Sequence, residues 1–229
     1  MKKAHIFFLS ICIFFMYESD SLAQKKDLAN LQRYQEANNK LPQPSKGEKR
    51  VVFMGNSITD GWPKDFFENK PYVNRGISGQ TTPQMLIRFR ADVINLKPKL
   101  VVILGGTNDI AGNTGPSTLE MIMDNIASMC ELANANSIKV ILSSVLPANV
   151  YLWSPGIEPA DKIIELNKMM ENYAKKKGYI YLDYYSSLVD EEKGLKKMYG
   201  SDPVHPNYEG YQVMEELVEK AISKALSEK

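Results

Sequence analysis

Five short, continuous apolar segments separated by helical patterns are the feature that most constrains the fold of this chain. The segments cover residues 50–54, 72–74, 100–104, 139–146 and 179–183. Because they are apolar throughout rather than alternating, they indicate strands buried on both faces, as in a parallel sheet. Apolar residues at helical spacing predict helices at 81–96, 115–135, 159–177 and 207–226. The alternation therefore predicts a three-layer α/β/α sandwich around a five-stranded parallel sheet.

Capping signals support the starts of two of these helices. Thr81 and Gln84 have the spacing of a capping box, and Pro83 lies in the first turn. Ser117 and Glu120 have the same spacing near the start of the second helix. We therefore expect both helices to begin at these residues.

The composition excludes several classes of protein. Lys and Arg number 28 against 27 Asp and Glu, which gives a net charge of +1, and 44% of the residues are hydrophobic. This balance excludes a disordered chain and disfavours a nucleic-acid binder, which needs a basic surplus or patch. Two cysteines, Cys12 and Cys130, cannot form a disulfide framework. Two histidines, His5 and His205, exclude a His-rich metal site.

The first 23 residues have the pattern of a secretory signal peptide. Lys2 and Lys3 precede an apolar run at 6–16, and the small residues Ser21 and Ala23 follow it. The run is too short for a membrane span, which takes about 20 residues. We therefore expect cleavage after Ala23 and export to the periplasm or the medium, without stable membrane insertion.

A retained signal anchor is the alternative interpretation of this segment. A lipoprotein site at Cys12 is disfavoured because the bulky Ile11 precedes it within the apolar run. Beyond the leader, residues 24–48 are expected to form an N-terminal helix, at 27–39, and a linker. Residues 49–229 are expected to form the main domain.

Four polar loops lie where a parallel sheet binds its ligands, beyond the carboxyl ends of the strands. Ser57 follows the first strand, Gly76 the second and Asn108 the third, while Asp202 and His205 precede the last helix. Nucleophilic acyl transfer needs a hydroxyl, a base, a group that orients the base, and donors for the oxyanion. His205 is the only imidazole after residue 23, so a His-dependent mechanism must use it.

Other polar residues in these loops are expected to be structural. Asp109 is expected to cap a helix or turn, and Asp60 to be structural or to pair with Arg75. Thr59 stands where a GxSxG elbow around Ser57 would need its second glycine, which argues against the α/β-hydrolase family.

These loops together resemble the conserved blocks of the SGNH hydrolases, also called GDSL esterases. The resemblance covers residues 50–226 and places Ser57 in block one, Gly76 in block two, Asn108 in block three and His205 in block five. It is closest to the platelet-activating-factor acetylhydrolase-like branch and to secreted bacterial acetylesterases. Asn56 departs from the family pattern, which has Asp there. The implied fold is flavodoxin-like.

The resemblance implies serine esterase chemistry without a metal or cofactor. His205 would take the proton of Ser57, which attacks an ester carbonyl, and Asp202 would hold the imidazole in the required tautomer. The oxyanion would be bound by the backbone N–H groups of Ser57 and Gly76 and by the side-chain amide of Asn108.

The expected substrates are short acyl esters, above all O-acetyl groups on carbohydrates. The aromatic residues Trp62, Tyr151 and Trp153 are candidate substrate-binding residues, although such rings also suit a lipid pocket or a core. No long apolar lid is evident, which disfavours a true lipase. The alternatives are a lysophospholipase, a general short-acyl esterase or thioesterase, a non-catalytic carbohydrate-binding protein, and a flavodoxin-type cofactor binder. The sequence leaves the oligomeric state open.

Overall fold

A computed structural model describes residues 27–227, so the predicted signal peptide at 1–23 lies outside the described residues. Its centre is one parallel sheet of five strands, in which the second strand along the chain lies at one edge and is followed by the first, third, fourth and fifth. This is the flavodoxin-like arrangement, and it confirms the predicted fold class. The strands are β1 (Val51–Gly55), β2 (Tyr72–Gly76), β3 (Leu100–Leu104), β4 (Lys139–Ser143) and β5 (Ile180–Leu182).

Helices cover both faces of the sheet and produce two separate apolar cores. Val52 and Met54 of β1 pack in one core with the helices at 82–92 and 119–135, whereas Val51 and Phe53 pack in the other with the helix at 208–227. Within residues 27–227, no helix is both long and apolar enough to cross a membrane. The helices are α1 (Gln35–Lys40), α2 (Ser57–Asp60), α3 (Thr82–Asp92), α4 (Thr107–Ile110), α5 (Leu119–Ala135), α6 (Ala160–Lys177), α7 (Tyr185–Leu188) and α8 (Tyr208–Ser227).

The register of the central strands brings the polar loops to one edge of the sheet. Gly55, the last residue of β1, is level with Gly76 of β2 and Leu104 of β3. The chain therefore leaves three neighbouring strands at the same height.

The observed helix starts agree with one predicted cap and correct another. The N–H of Thr81 donates to Oε1 of Gln84 at 3.0 Å, which confirms the capping box of α3. For α5, the Oγ1 of Thr118 accepts from the N–H of Met121 at 3.2 Å, so the expected cap at Ser117 is wrong by one residue.

The N-terminal segment, residues 27–34, is less helical than expected but contacts the loop after β2. The helix predicted at 27–39 is confined to α1, and turns precede it. Gln80 donates from Nε2 to the carbonyl of Ala29 at 2.6 Å, and the Tyr34 hydroxyl donates to the carbonyl of Gly76. The segment therefore supports a loop of the candidate site.

Candidate active site

Three side chains from two distant parts of the chain form a continuous hydrogen-bonded relay. Ser57 is the first residue of α2, directly after β1, and its Oγ lies 2.9 Å from Nε2 of His205. Nδ1 of His205 lies 2.7 Å from Oδ2 of Asp202. Ser57 and His205 are half-buried, so the relay is open to solvent on one side.

Two backbone N–H groups hold the carboxylate of Asp202 in addition to the imidazole. Its Oδ1 accepts from the N–H groups of Val204 at 2.7 Å and His205 at 2.8 Å. Partial burial raises the pKa of Asp202, but these N–H groups and the imidazole outweigh burial and bring the pKa below its ordinary value. An ionised Asp202 accepts from the Nδ1–H of His205, which leaves Nε2 as the acceptor for the Ser57 hydroxyl.

Asn108 is buried on α4, which follows β3 after two glycines. Its Nδ2 donates to the carbonyl of Gln80 at 2.9 Å, which uses one of its two amide hydrogens. The preceding turn contains Gly106 at a φ of 123°, a left-handed conformation that glycine adopts readily.

The neighbouring Asp109 caps α3, as expected. Its carboxylate accepts from the N–H of Thr82 at 2.9 and 3.0 Å and from its Oγ1 at 2.6 Å. Burial raises the pKa of Asp109 to about 6, against the lowering effect of these hydrogen bonds. Asp109 therefore fixes α4 to α3 and holds Asn108 in place.

Gly76 does not fit the donor role expected of it. Its N–H already donates to Oδ1 of Asn74 at 2.8 Å. A Cβ at this position would lie 2.1 Å from the backbone nitrogen of Asp60, so Gly76 allows β2 to pack closely against α2. Glycine is therefore required at position 76 because the backbones of β2 and α2 pack closely there, and not because a substrate approaches it.

Gly79, in the loop that follows β2, has the free N–H that Gly76 lacks. Its φ is 78°, it is exposed, and a Cβ there would meet nothing within 4 Å. Among residues 27–227, no acceptor for its N–H is found. The signal in the sequence was present, because the two glycines lie three residues apart, but only the fold separates their roles.

Asp60 holds this loop rather than pairing with Arg75. Its Oδ2 accepts from the N–H of Ser78 at 3.2 Å and from the Ser78 hydroxyl at 2.7 Å. Arg75 donates instead to Oδ1 of Asn38 and to the carbonyl of Asn74. Asp60 is structural, which was one of the two expectations, and the alternative of a pair with Arg75 is wrong.

Two of the three aromatic candidates are too buried to contact a substrate directly. Trp62 is 3% exposed, packs against Phe53, and donates from Nε1 to Glu215 at 3.0 Å. Tyr151 is 0% exposed, and its hydroxyl bonds to Oγ1 of Thr107 at 2.7 Å. Their expected substrate-binding roles are therefore not supported, since both complete the core.

Trp153 is the aromatic residue that remains at the site. It is 44% exposed, and one ring face stacks on Tyr151 with centroids 4.8 Å apart. Its ring centroid lies 6.4 Å from that of His205. An indole face beside the base can contact the part of a substrate that leaves.

Sequence reasoning missed Arg88, which is fully buried behind the site. Its guanidinium donates to Oε1 of Gln80 at 2.6 Å, to Oδ2 of Asp92 at 2.9 Å and to the carbonyl of Gly55 at 2.8 Å. It thereby ties the end of β1 to the loop that contains Gly79. The sequence did contain a signal for Arg88, because it lies three residues after Met85 and therefore on the same buried face of α3.

Solved structures of similar proteins have the same fold. A protein from Bacteroides fragilis is 54% identical, with a TM-score of 0.86 over 88% of this chain and 100% of that chain. A GDSL-like lipase from Bacteroides thetaiotaomicron is 53% identical, with a TM-score of 0.84 over 86% of this chain and 99% of that one.

Curated relatives are more distant. An acetylxylan esterase from Xylanibacter ruminicola is 26% identical over 222 residues, which are 80% of this chain and 45% of that protein. The chain spans about half the length of the first curated relatives that it matches. The model of the GDSL-like lipase/acylhydrolase family matches residues 53–213. The chain therefore belongs to the GDSL-like lipase/acylhydrolase family.

Proposed function

We propose that this protein is a serine esterase that hydrolyses short-chain acyl esters, principally O-acetyl groups on carbohydrates. The observation that carries the proposal is the unbroken relay from Ser57 through His205 to Asp202, next to unused hydrogen-bond donors. A hydroxyl, a base and an orienting carboxylate in hydrogen-bond contact are what nucleophilic acyl transfer requires.

In the first step, Ser57 Oγ attacks the ester carbonyl while Nε2 of His205 takes its proton. The negative carboxylate of Asp202 stabilises the imidazolium that forms. The imidazolium then donates this proton to the leaving alcohol, which leaves an acyl group on Ser57. A water molecule then attacks the acyl-enzyme while Nε2 of His205 takes one of its protons, and the imidazolium returns that proton to Ser57 Oγ as the acid leaves.

The oxyanion of each tetrahedral intermediate needs donors aimed at developing charge. We assign this role to the N–H of Ser57, the N–H of Gly79 and the second amide hydrogen of Asn108. Gly79 replaces Gly76 in this set because the N–H of Gly76 is already bonded to Asn74. Ser57 begins α2, so its N–H has no partner within that helix.

The carbohydrate assignment rests on Trp153 and on the relatives. An exposed indole face suits stacking against the apolar face of a sugar ring. A relative named as an acetylxylan esterase and the absence of an apolar lid in the sequence both favour a small acyl group on a sugar alcohol. Another relative is named as a lipoprotein, which supports export of this chain. Cleavage after Ala23 is a separate proposal that rests on the sequence pattern alone.

The decisive experiment compares acyl chain length and alcohol. We expect kcat/KM to fall from acetyl through butyryl to octanoyl p-nitrophenyl esters, since each methylene without a pocket forfeits up to about 0.8 kcal/mol. Acetylated xylo-oligosaccharides should be deacetylated, and Ser57→Ala is the matched control. A rate that rises through eight carbons would favour the lysophospholipase or general esterase alternative. N-terminal sequencing of exported protein tests the cleavage site.

A further inference from the structure

Asn113 joins the loop after β2 to the exposed tryptophan of the site. Its Nδ2 donates to the carbonyl of Gly79 at 3.1 Å. Its Oδ1 accepts from Nε1 of Trp153 at 3.0 Å. Its own N–H donates to the carbonyl of Asn108 at 3.0 Å, so the backbone that presents this side chain is itself anchored to α4.

The chemistry of the two partners determines which side chain can make this bridge. The carbonyl of Gly79 only accepts, and the indole N–H of Trp153 only donates. The bridging group must therefore donate on one side and accept on the other, which the amide of Asn113 does. A carboxylate at this position would keep the bond to Trp153 but lose the bond to Gly79.

Asp60 holds the chain before Gly79, and Asn113 holds the chain after it. Asp60 accepts from the N–H and hydroxyl of Ser78, the residue before Gly79, and Asn113 binds the carbonyl after the Gly79 Cα. The N–H of Gly79 thus lies between two fixed points, although Gly79 is exposed and glycine backbone is otherwise permissive.

We propose that Asn113 is a positioning residue that sets the Gly79 N–H of the oxyanion pocket and the indole face of Trp153 at a fixed separation. This inference rests on the proposed function, in which Gly79 binds the oxyanion and Trp153 contacts the leaving alcohol. Contacts at Trp153 and at the oxyanion are then made by one connected unit. Binding of the alcohol at Trp153 therefore helps to position the reacting carbonyl in the oxyanion pocket. This use of binding energy increases kcat rather than affinity alone.

Two variants each cut one side of the bridge. Asn113→Asp removes the donor to Gly79 and keeps the acceptor for Trp153, whereas Trp153→Phe removes the indole N–H and keeps an aromatic face. Asn134→Asp, at an exposed position on α5, controls for the added charge. The substrates are ethyl acetate, which is too small to cover the indole, and an acetylated xylo-oligosaccharide. Titration of Ser57 with an organophosphate gives kcat per active molecule.

We expect Asn113→Asp to lower kcat per titrated site about tenfold on both esters with KM nearly unchanged, because an oxyanion donor is displaced. Trp153→Phe should affect only the sugar ester. In the double variant, the loss on the sugar ester should be smaller than the product of the two single losses. An unchanged kcat per titrated site in Asn113→Asp, or independent losses, would overturn the inference. If the wild-type protein hydrolyses neither ester, the proposed function itself fails.

Discussion

The backbone N–H of Gly76 donates to Oδ1 of Asn74 at 2.8 Å, and this bond removes Gly76 from the donors that face the site. Gly76 ends β2 and Gly79 lies three residues later in the loop that follows, yet the two glycines face different constraints. At position 76 the backbone of Asp60 leaves no space for a Cβ. At position 79 there is open space, and the left-handed φ of 78° is what favours glycine.

Alanine substitutions should separate the two glycines. Gly76→Ala places a Cβ 2.1 Å from the Asp60 nitrogen and should lower the free energy of unfolding by about 2 kcal/mol or more. Gly79→Ala should cost only about 1 kcal/mol but lower kcat about tenfold or more, because relief of its strained φ moves the N–H. Urea unfolding and kcat per active site measure both.

Gly47 is the control for Gly79→Ala. It has a φ of 88°, with open space around its missing Cβ, and it precedes the amino end of β1, away from the candidate site. Gly47→Ala should therefore show a similar loss of stability with an unchanged kcat. A matching fall in kcat for Gly47→Ala would contradict the assignment of the Gly79 N–H to the oxyanion.

Substitution of the nucleophile and the base should give non-additive losses. Ser57→Ala and His205→Ala should each reduce turnover to near background, and the double variant should be scarcely worse, because the two groups act as one unit. Turnover of p-nitrophenyl acetate measures this, with circular dichroism as the check on folding. An active His205→Ala protein would end the serine-esterase proposal.

Asp202→Asn should impair catalysis through the tautomer of His205. The Asn Oδ1 can still accept from the N–H groups of Val204 and His205, so the loop should remain folded. Its Nδ2 would then donate to Nδ1 of His205 and leave the proton on Nε2, where it cannot accept from Ser57. In a known Ser-His-Asp triad, the wrong histidine tautomer lowers kcat on the order of 10⁴. Wild-type kcat in Asp202→Asn would exclude that role.

Asn108→Ala should lower kcat on the order of 10²–10³ with KM nearly unchanged, since we propose that its second amide hydrogen binds charge that develops only in the transition state. The carbonyl of Gln80 also loses its donor, which should cost about 1–3 kcal/mol in the free energy of unfolding. Asn125→Ala, which removes a partly buried bond to Thr82, is the comparison. Equal effects on kcat would argue against the oxyanion assignment.

The buried carboxyl of Asp109 should make stability depend on pH. Its pKa is raised from 3.8 to about 6 in the folded protein, so the native state binds a proton more tightly than the unfolded state. The corresponding stability is present below pH 3.8 and is lost as the pH rises through about 6, by on the order of 3 kcal/mol at most. Urea unfolding of wild type and Asp109→Asn between pH 4 and 7.5 measures it. Parallel curves would contradict the assignment.

The sequence was sufficient to predict the sheet and the relay because both depend on local patterns. Each strand is a continuous apolar run, and the carboxyl ends of parallel strands meet at one edge. Ser57 and Asn108 follow such runs by three and four residues, and His205 is the only histidine after residue 23, so few arrangements were available. The contact between Ser57 and His205 was therefore a consequence of topology.

Side-chain exposure and backbone donors could not be predicted in the same way. Trp62 lies seven residues after β1 and Trp153 ten residues after β4, but one fills the core against Phe53 and the other faces solvent. Only packing between distant elements decides this. Likewise, no pattern in the sequence indicates that Asn74 uses the N–H of Gly76.

The buried Arg88 has a consequence for how this sequence can change during evolution. Its guanidinium shares one set of hydrogen bonds among Gln80, Asp92 and the carbonyl of Gly55. Replacing Asp92 alone by a neutral residue would leave an uncompensated charge in the interior, unless position 80 gained an acid at the same time. Among homologues, positions 80, 88 and 92 should therefore covary, and total charge should be preserved more strictly than the residue at any one of them.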